Sequence, residues 1–366
     1  MSDIFGRALK VVLFGESHGP AIGCVIDGLP AGLSFDWDEV RREMARRAPG
    51  SSNLATPRKE KDDFEILSGY FNDHTTGTPL AMEIRNTNQH SKDYSELKVK
   101  MRPGHADYTG HVKYGGFNDY RGGGHFSARI TAPLTFAGAL AKQVLSKEGI
   151  YIGAHAAEVH GIKDRPFNPM GESAELFKKL SISKLPVLDE EKGKEMEEAI
   201  LSARKEGDSV GGIVECQILG LPVGLGDPFF DSLESELAHM MFSVPAVKGL
   251  EFGEGSGFAK LKGSEANDEM TYDDGKVEVV TNHNGGILGG ISGGSPVNFR
   301  IAIKPTASIG KRQHTVDISK GENADLSISG RHDPCILPRA IPVIESAAAF
   351  VILDILLTDR SETYGR

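Results

Sequence analysis

The chain is poor in cysteine: Cys24, Cys216 and Cys335 stand far apart, with no CxxC pair. A disulfide framework or a zinc ribbon therefore lacks its ligands, and the usage fits a reducing compartment. Aromatic residues make up 7%, with a single tryptophan, Trp37, read here as core packing. Positive charge is in deficit, since 41 Lys and Arg face 51 Asp and Glu and leave a net charge of −10. Nucleic acid and anionic membrane are poor partners for such a chain. No signal-peptide pattern opens the sequence. The most apolar run, residues 340–357, contains Glu345 and Asp354 and reads as a buried helix rather than a membrane span. These absences predict a soluble, cytoplasmic protein.

Several catalytic signatures are missing too. No GxGxxG follows the first apolar run and no Walker A sequence occurs, which argues against Rossmann and P-loop folds. There is no HExxH, and His155 and His160 lack metal-ligand spacing, so no metal site is expected. There is no GxSxG nucleophile elbow. His74, His90, His111, His239 and His314 carry no distinguishing context.

Glycine, by contrast, is abundant: 44 of 366 residues, about 12% against a usual ~7%. The excess is clustered, as in Gly122-Gly123-Gly124 and Gly289-Gly290. Such clusters mark tight turns or backbone approaching a ligand. Periodicity predicts strands at 8–14, 22–26, 151–159, 212–219, 277–281 and 297–303. It predicts helices at 36–47, 133–147 and 189–205, the last a solvated surface helix. Asp231 and Glu234 have capping-box spacing and open a further helix carrying Leu233, Leu237, Met240 and Met241 as core. Residues 56–63 and 86–98 read as loops, the second a mobile one. Strands and helices alternate without a βαβα rhythm, and no linker breaks the chain. One intertwined α+β domain over 1–366 is expected.

Five segments concentrate the chemistry. They are Gly15-Glu16-Ser17-His18-Gly19, residues 102–108 around His105, residues 119–129 around His125, residues 282–294 with 304–308 after them, and residues 330–335 with Arg339 behind. Each joins glycine to Arg, Lys, Ser or His. Glycine lets backbone N–H groups face an anion, and arginine offers a fork to phosphate or carboxylate. In an acidic chain, five such segments point to one or two strongly anionic small ligands. Ser17 and His18 are adjacent, and neighbours on an extended chain point to opposite faces, so they make a poor nucleophile and base.

Together, and in this order, the five segments resemble the chorismate synthase family along nearly the whole chain. That resemblance implies a β-α-β sandwich, with antiparallel sheets outside and a helical layer between, assembled as a homotetramer. It implies a lyase that converts 5-enolpyruvylshikimate 3-phosphate to chorismate and phosphate, the last step of the shikimate pathway toward aromatic amino acids. It implies a flavoprotein using reduced FMN (FMNH2), with FAD and NADP as associated nucleotides and an external flavin reductase as partner. The chemistry suits the residues. The proton lost in the 1,4-elimination is not flanked by a carbonyl, so an electron-rich cofactor is called for.

The resemblance also implies roles. His18 protonates the leaving phosphate, and His105 interacts with reduced flavin. Asp333, Ser17 and Ser127 form a relay near the flavin. His125, Phe126, Ser127, Ala246, Gly289, Lys304, Pro305, Thr306, Ala307, Ser308 and Arg331 contact the flavin. Arg46, Arg47, Arg129 and Arg339 bind substrate anions. The sequence departs from the family at Asn53, where an arginine linked to nicotinamide binding often stands, and at Pro245, where many members carry asparagine. Other readings stay open at this point: a bifunctional enzyme that also reduces FMN with NADPH, a non-catalytic flavin carrier, or a phosphatase acting without flavin.

Overall fold

The computed structural model describes residues 3–50, 54, 62–87, 96–328 and 332–362. Arg331, Asn53 and most of the two expected loops lie outside the described residues. Two five-stranded sheets carry the architecture. The first contains β1 (Ile4–Phe5), β2 (Lys10–Gly15), β3 (Ala21–Asp27), β4 (Phe64–Ser68) and β5 (Leu80–Arg85), in the order β1-β2-β3-β5-β4. The second contains β6 (Tyr151–Val159), β7 (Ile162–Lys163), β8 (Gly212–Leu219), β9 (Val247–Phe252) and β10 (Val297–Ile303), in the order β9-β10-β8-β6-β7. Every pair within them is antiparallel.

Helix α1 (Trp37–Arg47) starts where Asp36 accepts the backbone N–H groups of Asp38 and Glu39 at 2.9 and 3.1 Å. That is an N-cap, and Arg46 and Arg47 complement the dipole at the other end. A short helix, α2 (Asp107–Lys113), follows, and then α3 (Thr131–Lys147). Helix α3 begins two residues before the expected 133, because Pro133 occupies its first turn, where a missing N–H costs nothing. The charged helix α4 (Glu190–Lys205) and α5 (Leu233–Ser243) come next. Ser232, not Asp231, caps α5, its Oγ accepting from Ser235 N at 3.1 Å. Met240 and Met241 are buried core, as the spacing indicated.

The last helix, α6 (Leu337–Glu362), is the axis of the fold. Its Leu337–Arg360 stretch is long and apolar enough to cross a membrane, yet 94% of that window is buried within the chain. Helix α3 packs on α6, on α1 and on the first sheet, while α6 packs on the second sheet through β6 and β8. Gly138 of α3 permits the close approach: a Cβ there would stand 2.3 Å from Ser346 Cβ of α6. The two charges inside the apolar helix tie it to its surroundings. Asp354 accepts Leu9 N at 2.7 Å and Arg7 N at 2.9 Å, pinning the entry to β2. Glu345 meets Arg46 and Lys142, both at 2.6 Å. Buried carboxylates persist only when paired in this way. Trp37 packs among Phe35, Phe64, Tyr70 and Phe136.

Candidate active site

Strand β2 runs into a turn at Gly15 and returns as β3, so Ser17 and His18 sit at the end of the first sheet. They lie in the turn, not on an extended strand, and the expectation of opposite faces fails for that reason. Both face Gly122. A Cβ on Gly122 would stand 2.1 Å from His18 Nδ1 and 2.9 Å from Ser17 Oγ. The segments are laced together: Ser17 N donates to Gly124 O at 3.1 Å, and His125 Nδ1 to Gly15 O at 2.8 Å. The neighbouring Gly123 backs the other histidine, since its Cβ would lie 3.1 Å from His105 Cε1. All three glycines hold positive φ, at 59°, 85° and 55°. Side chains are thus excluded twice, by conformation and by space. The triple glycine makes room for two histidines at least as much as for a ligand.

His105 stands on the turn that leads into α2. Arg102 and Asp107 flank it, joined by a bidentate pair at 2.7 Å through both Nε and NH2. Burial pushes the Asp107 carboxyl up, but hydrogen bonds from Arg102 and His105 more than reverse this and hold it well below the usual carboxylate range. Arg102 NH1 reaches Ser308 Oγ at 3.3 Å, and Lys304 Nζ donates to Gly104 O, so the 304–308 segment closes on the same turn. Ala246 accepts Lys304 N at 2.9 Å while holding φ at +74°, a strained conformation for a residue with a Cβ.

A cavity of about 1040 Å³ joins these pieces. Of the sequence-derived candidates, its walls include Ser17, His18, His105, Ser127, Asp333 and Arg339. His125, Phe126, Ala246, Lys304, Pro305, Thr306, Ala307, Ser308, Arg47 and Arg129 line it as well. Ser127 Oγ accepts Arg129 N at 3.3 Å. Asp62, which sequence reasoning passed over as loop, lies between two of the arginines. Its Oδ2 meets Arg47 NH1 at 2.6 Å and its Oδ1 meets Arg129 NH1 at 3.0 Å. Asn86 adds a link, accepting Arg129 Nε at 2.6 Å and donating to Gly19 O at 2.9 Å.

Arg47 is nearly fully buried, and three of its N–H groups are spent on Thr131 Oγ1, Asp62 and Ala128 O. Burial, opposed by Asp62 but aided by Arg339 and Arg129, pulls its pKa down to about 10. Arg339 donates through Nε to Arg47 O and through NH1 to Asp333.

Two candidates are not brought to the cavity. Arg46 turns the other way and is held by Glu345 at 2.6 Å and Glu43 at 2.9 Å, a buried ion cluster with Lys142. Gly289 sits in the hairpin between Ile287–Leu288 and Ile291–Ser292, and the cavity walls do not include it. Conversely, the cavity recruits Lys248 and His239, which the sequence did not single out, and His332, which lay in the fifth segment without an assigned role. Burial, reinforced by Lys248, lowers the Lys304 pKa. Burial and then the Arg102 charge lower His332.

Two buried polar atoms in the wall, Thr306 Oγ1 and His332 Nε2, find no partner among the described residues. Unsatisfied polar atoms beside paired lysines, in a cavity at the upper end of ordinary ligand pockets, suit a polar, phosphate-bearing ligand of nucleotide size.

Comparison with known proteins agrees with this arrangement. The sequence model of the chorismate synthase family matches residues 9–357. The chorismate synthase of Korarchaeum cryptofilum is 47% identical over 352 residues, covering 96% of each chain. That of Dehalococcoides mccartyi (strain BAV1) is 46% identical over 357 residues, covering 98% of this chain and 97% of its own. A crystal structure of a chorismate synthase superposes with a TM-score of 0.76 at 28% identity, over 97% of this chain and 93% of that one. With the histidines, serines and arginines of its distant segments gathered on one cavity, the chain belongs to the chorismate synthase family and is a lyase.

Proposed function

We propose that the enzyme eliminates phosphate from 5-enolpyruvylshikimate 3-phosphate in an anti-1,4 sense to give chorismate, with reduced FMN in the same cavity. The observation that carries this reading is the convergence of Ser17, His18, His105, Ser127, Asp333 and Arg339 on one wall system. When bound, reduced FMN supplies the electron density that helps the phosphate leave.

The chain's own residues do the rest. His18, buried in its turn and backed by Gly122, gives a proton to the departing phosphate oxygen. Ser17, Ser127 and Asp333 move the ring proton away. Arg129 and Arg339 meet the substrate's anionic groups, while Arg47, with most of its N–H groups engaged, holds the wall behind them. Lys304 and Lys248, with Thr306, Ser308 and Ala246, would hold the flavin, and His105 would be available to it.

The packing of α3 and α6 between the two sheets supports the sandwich architecture, and one apolar cluster running from Leu9 to Leu356 supports a single domain. We further take the enzyme to work in the cytoplasm as a homotetramer on flavin reduced by another protein.

The test is an anaerobic assay with chemically reduced FMN and the phosphorylated enolpyruvyl substrate. Chorismate and phosphate should appear together. Absence of both refutes the lyase mechanism, and phosphate release without flavin would make the protein a phosphatase. Bleaching of oxidised FMN by NADPH at a catalytic rate would overturn the external reductase.

A further inference from the structure

His105 has two polar neighbours at the same ring nitrogen. Asp107 Oδ1 lies 2.7 Å from Nδ1, and Arg102 NH2 lies 3.1 Å from it. A guanidinium has only protons to give, and an ionised carboxylate only lone pairs. Nδ1 cannot satisfy both. Arg102 NH2 already donates to Asp107 Oδ1 at 2.7 Å, and Arg102 Nε and backbone N donate to Oδ2 at 2.7 and 3.0 Å. The carboxylate is therefore anchored from three sides, and its side chain is only 6% exposed. If Nδ1 were bare, it would lie 2.7 Å from a charged oxygen that Arg102 already anchors. A proton on Nδ1 turns that repulsion into attraction between an N–H and a carboxylate.

We propose that Asp107 is a positioning residue that keeps the proton of neutral His105 on Nδ1, so that Nε2 is the ring nitrogen offered to a ligand in the cavity. Nε2 bonds no described residue, and Gly123 packs against that edge of the ring, its Cβ position 3.2 Å from Nε2. A bulkier residue at 123 would cover the nitrogen that Asp107 exposes. The same carboxylate fixes Arg102, whose NH1 reaches Ser308 Oγ at 3.3 Å. Asp107 thus sets the histidine tautomer and its register against the 304–308 segment together. Second partners of this kind fix ring orientation and tautomer in many sites.

The kinetic consequence rests on the lyase reading above, whereas the tautomer rests on geometry alone. The experiment separates them. In protein labelled with 15N-histidine, without ligand and at pH 8.5, two-bond proton–nitrogen correlation reports which ring nitrogen carries the proton. The His105 signals are assigned by their loss in His105→Asn. Wild-type protein should show a protonated Nδ1 and a bare Nε2. Asp107→Asn, whose amide oxygen still accepts from Arg102, should move the proton to Nε2 or leave both forms in exchange. It should also lower kcat about 10- to 100-fold, with KM for the substrate little changed. A wild-type Nε2–H form, or an unchanged tautomer in folded Asp107→Asn, overturns the proposal. Should that variant not fold, the wild-type spectrum alone decides. A wild-type enzyme that releases no phosphate refutes the lyase reading and leaves the tautomer result standing.

Discussion

A Cβ on Gly122 would stand 2.1 Å from His18 Nδ1, closer than any real contact, so the absence of a side chain at Gly122 is what places the His18 ring. Gly122→Ala must therefore displace His18 or distort the turn, and φ at +59° adds strain. We expect kcat to fall about 100-fold, the scale of a 1 Å misplacement of a reacting group. Thermal unfolding should change little by comparison. Wild-type turnover in this variant would show that the glycine does not position the histidine.

His18→Ala removes the proposed proton donor. General acid catalysis is worth about 10²- to 10⁴-fold, and turnover should fall by that much. Flavin affinity, measured by fluorescence titration, should stay within a small factor of wild type. Collapse of flavin affinity with intact turnover at saturation would assign His18 to the cofactor instead.

Arg46 and Arg339 separate two uses of arginine. Arg46 is committed to Glu345 and Glu43 away from the cavity. Arg46→Ala leaves the Glu43 and Glu345 carboxylates to Lys142 and, for Glu345, the Ala154 N–H, and we expect a loss of about 3–5 kcal/mol in denaturant unfolding. The folded fraction should keep the wild-type KM. Arg339→Ala should do the reverse, raising KM for the substrate at least tenfold with a smaller effect on stability. A raised KM in Arg46→Ala would restore the substrate-binding role read from the sequence.

His155 is fully buried in the second sheet, with Nδ1 2.9 Å from Asp164 and Nε2 2.8 Å from Glu215. Burial pushes its pKa down, but the hydrogen bonds and charges of Asp164 and Glu215 push harder, and the net shift is upward. An imidazole whose folded pKa exceeds the unfolded value of about 6.5 stabilises fully below that pH. The stabilisation then drains as pH rises through the folded pKa. Urea unfolding of wild type should show stability declining from pH 6.5 upward, and His155→Gln should flatten that decline. An equal slope in both proteins would remove His155 as its source.

Much of the framework was legible in one dimension. Strands at 151–159, 212–219 and 297–303 match the structure residue for residue, because alternation and β-branched content act locally. The acidic start and basic end of 36–47, and Pro133 in a first turn, did the same for two helices. Four of the five segments pointed to the cavity for a similar reason, since each carries its chemistry within a few residues, whereas the glycine-rich stretch 282–294 supplies no wall residue and only 304–308 after it does. What stayed hidden was pairing across distance. Asp62 reads as one acidic residue in a polar loop, yet it joins Arg47 of α1 to Arg129, 67 positions onward. Arg46 and Arg47 are adjacent in sequence, but the helical turn of about 100° between neighbours sends one to an ion cluster and the other to the cavity.

The sequence by itself determined many of the elements and the clustering of glycine with arginine and histidine, since propensity and donor chemistry belong to residues. Only the tertiary structure decided which groups face each other. It turned both Ser17 and His18 toward Gly122, and set Gly122 and Gly123 behind His18 and His105. Such contacts depend on close packing between segments up to 105 residues apart, and no local pattern encodes them.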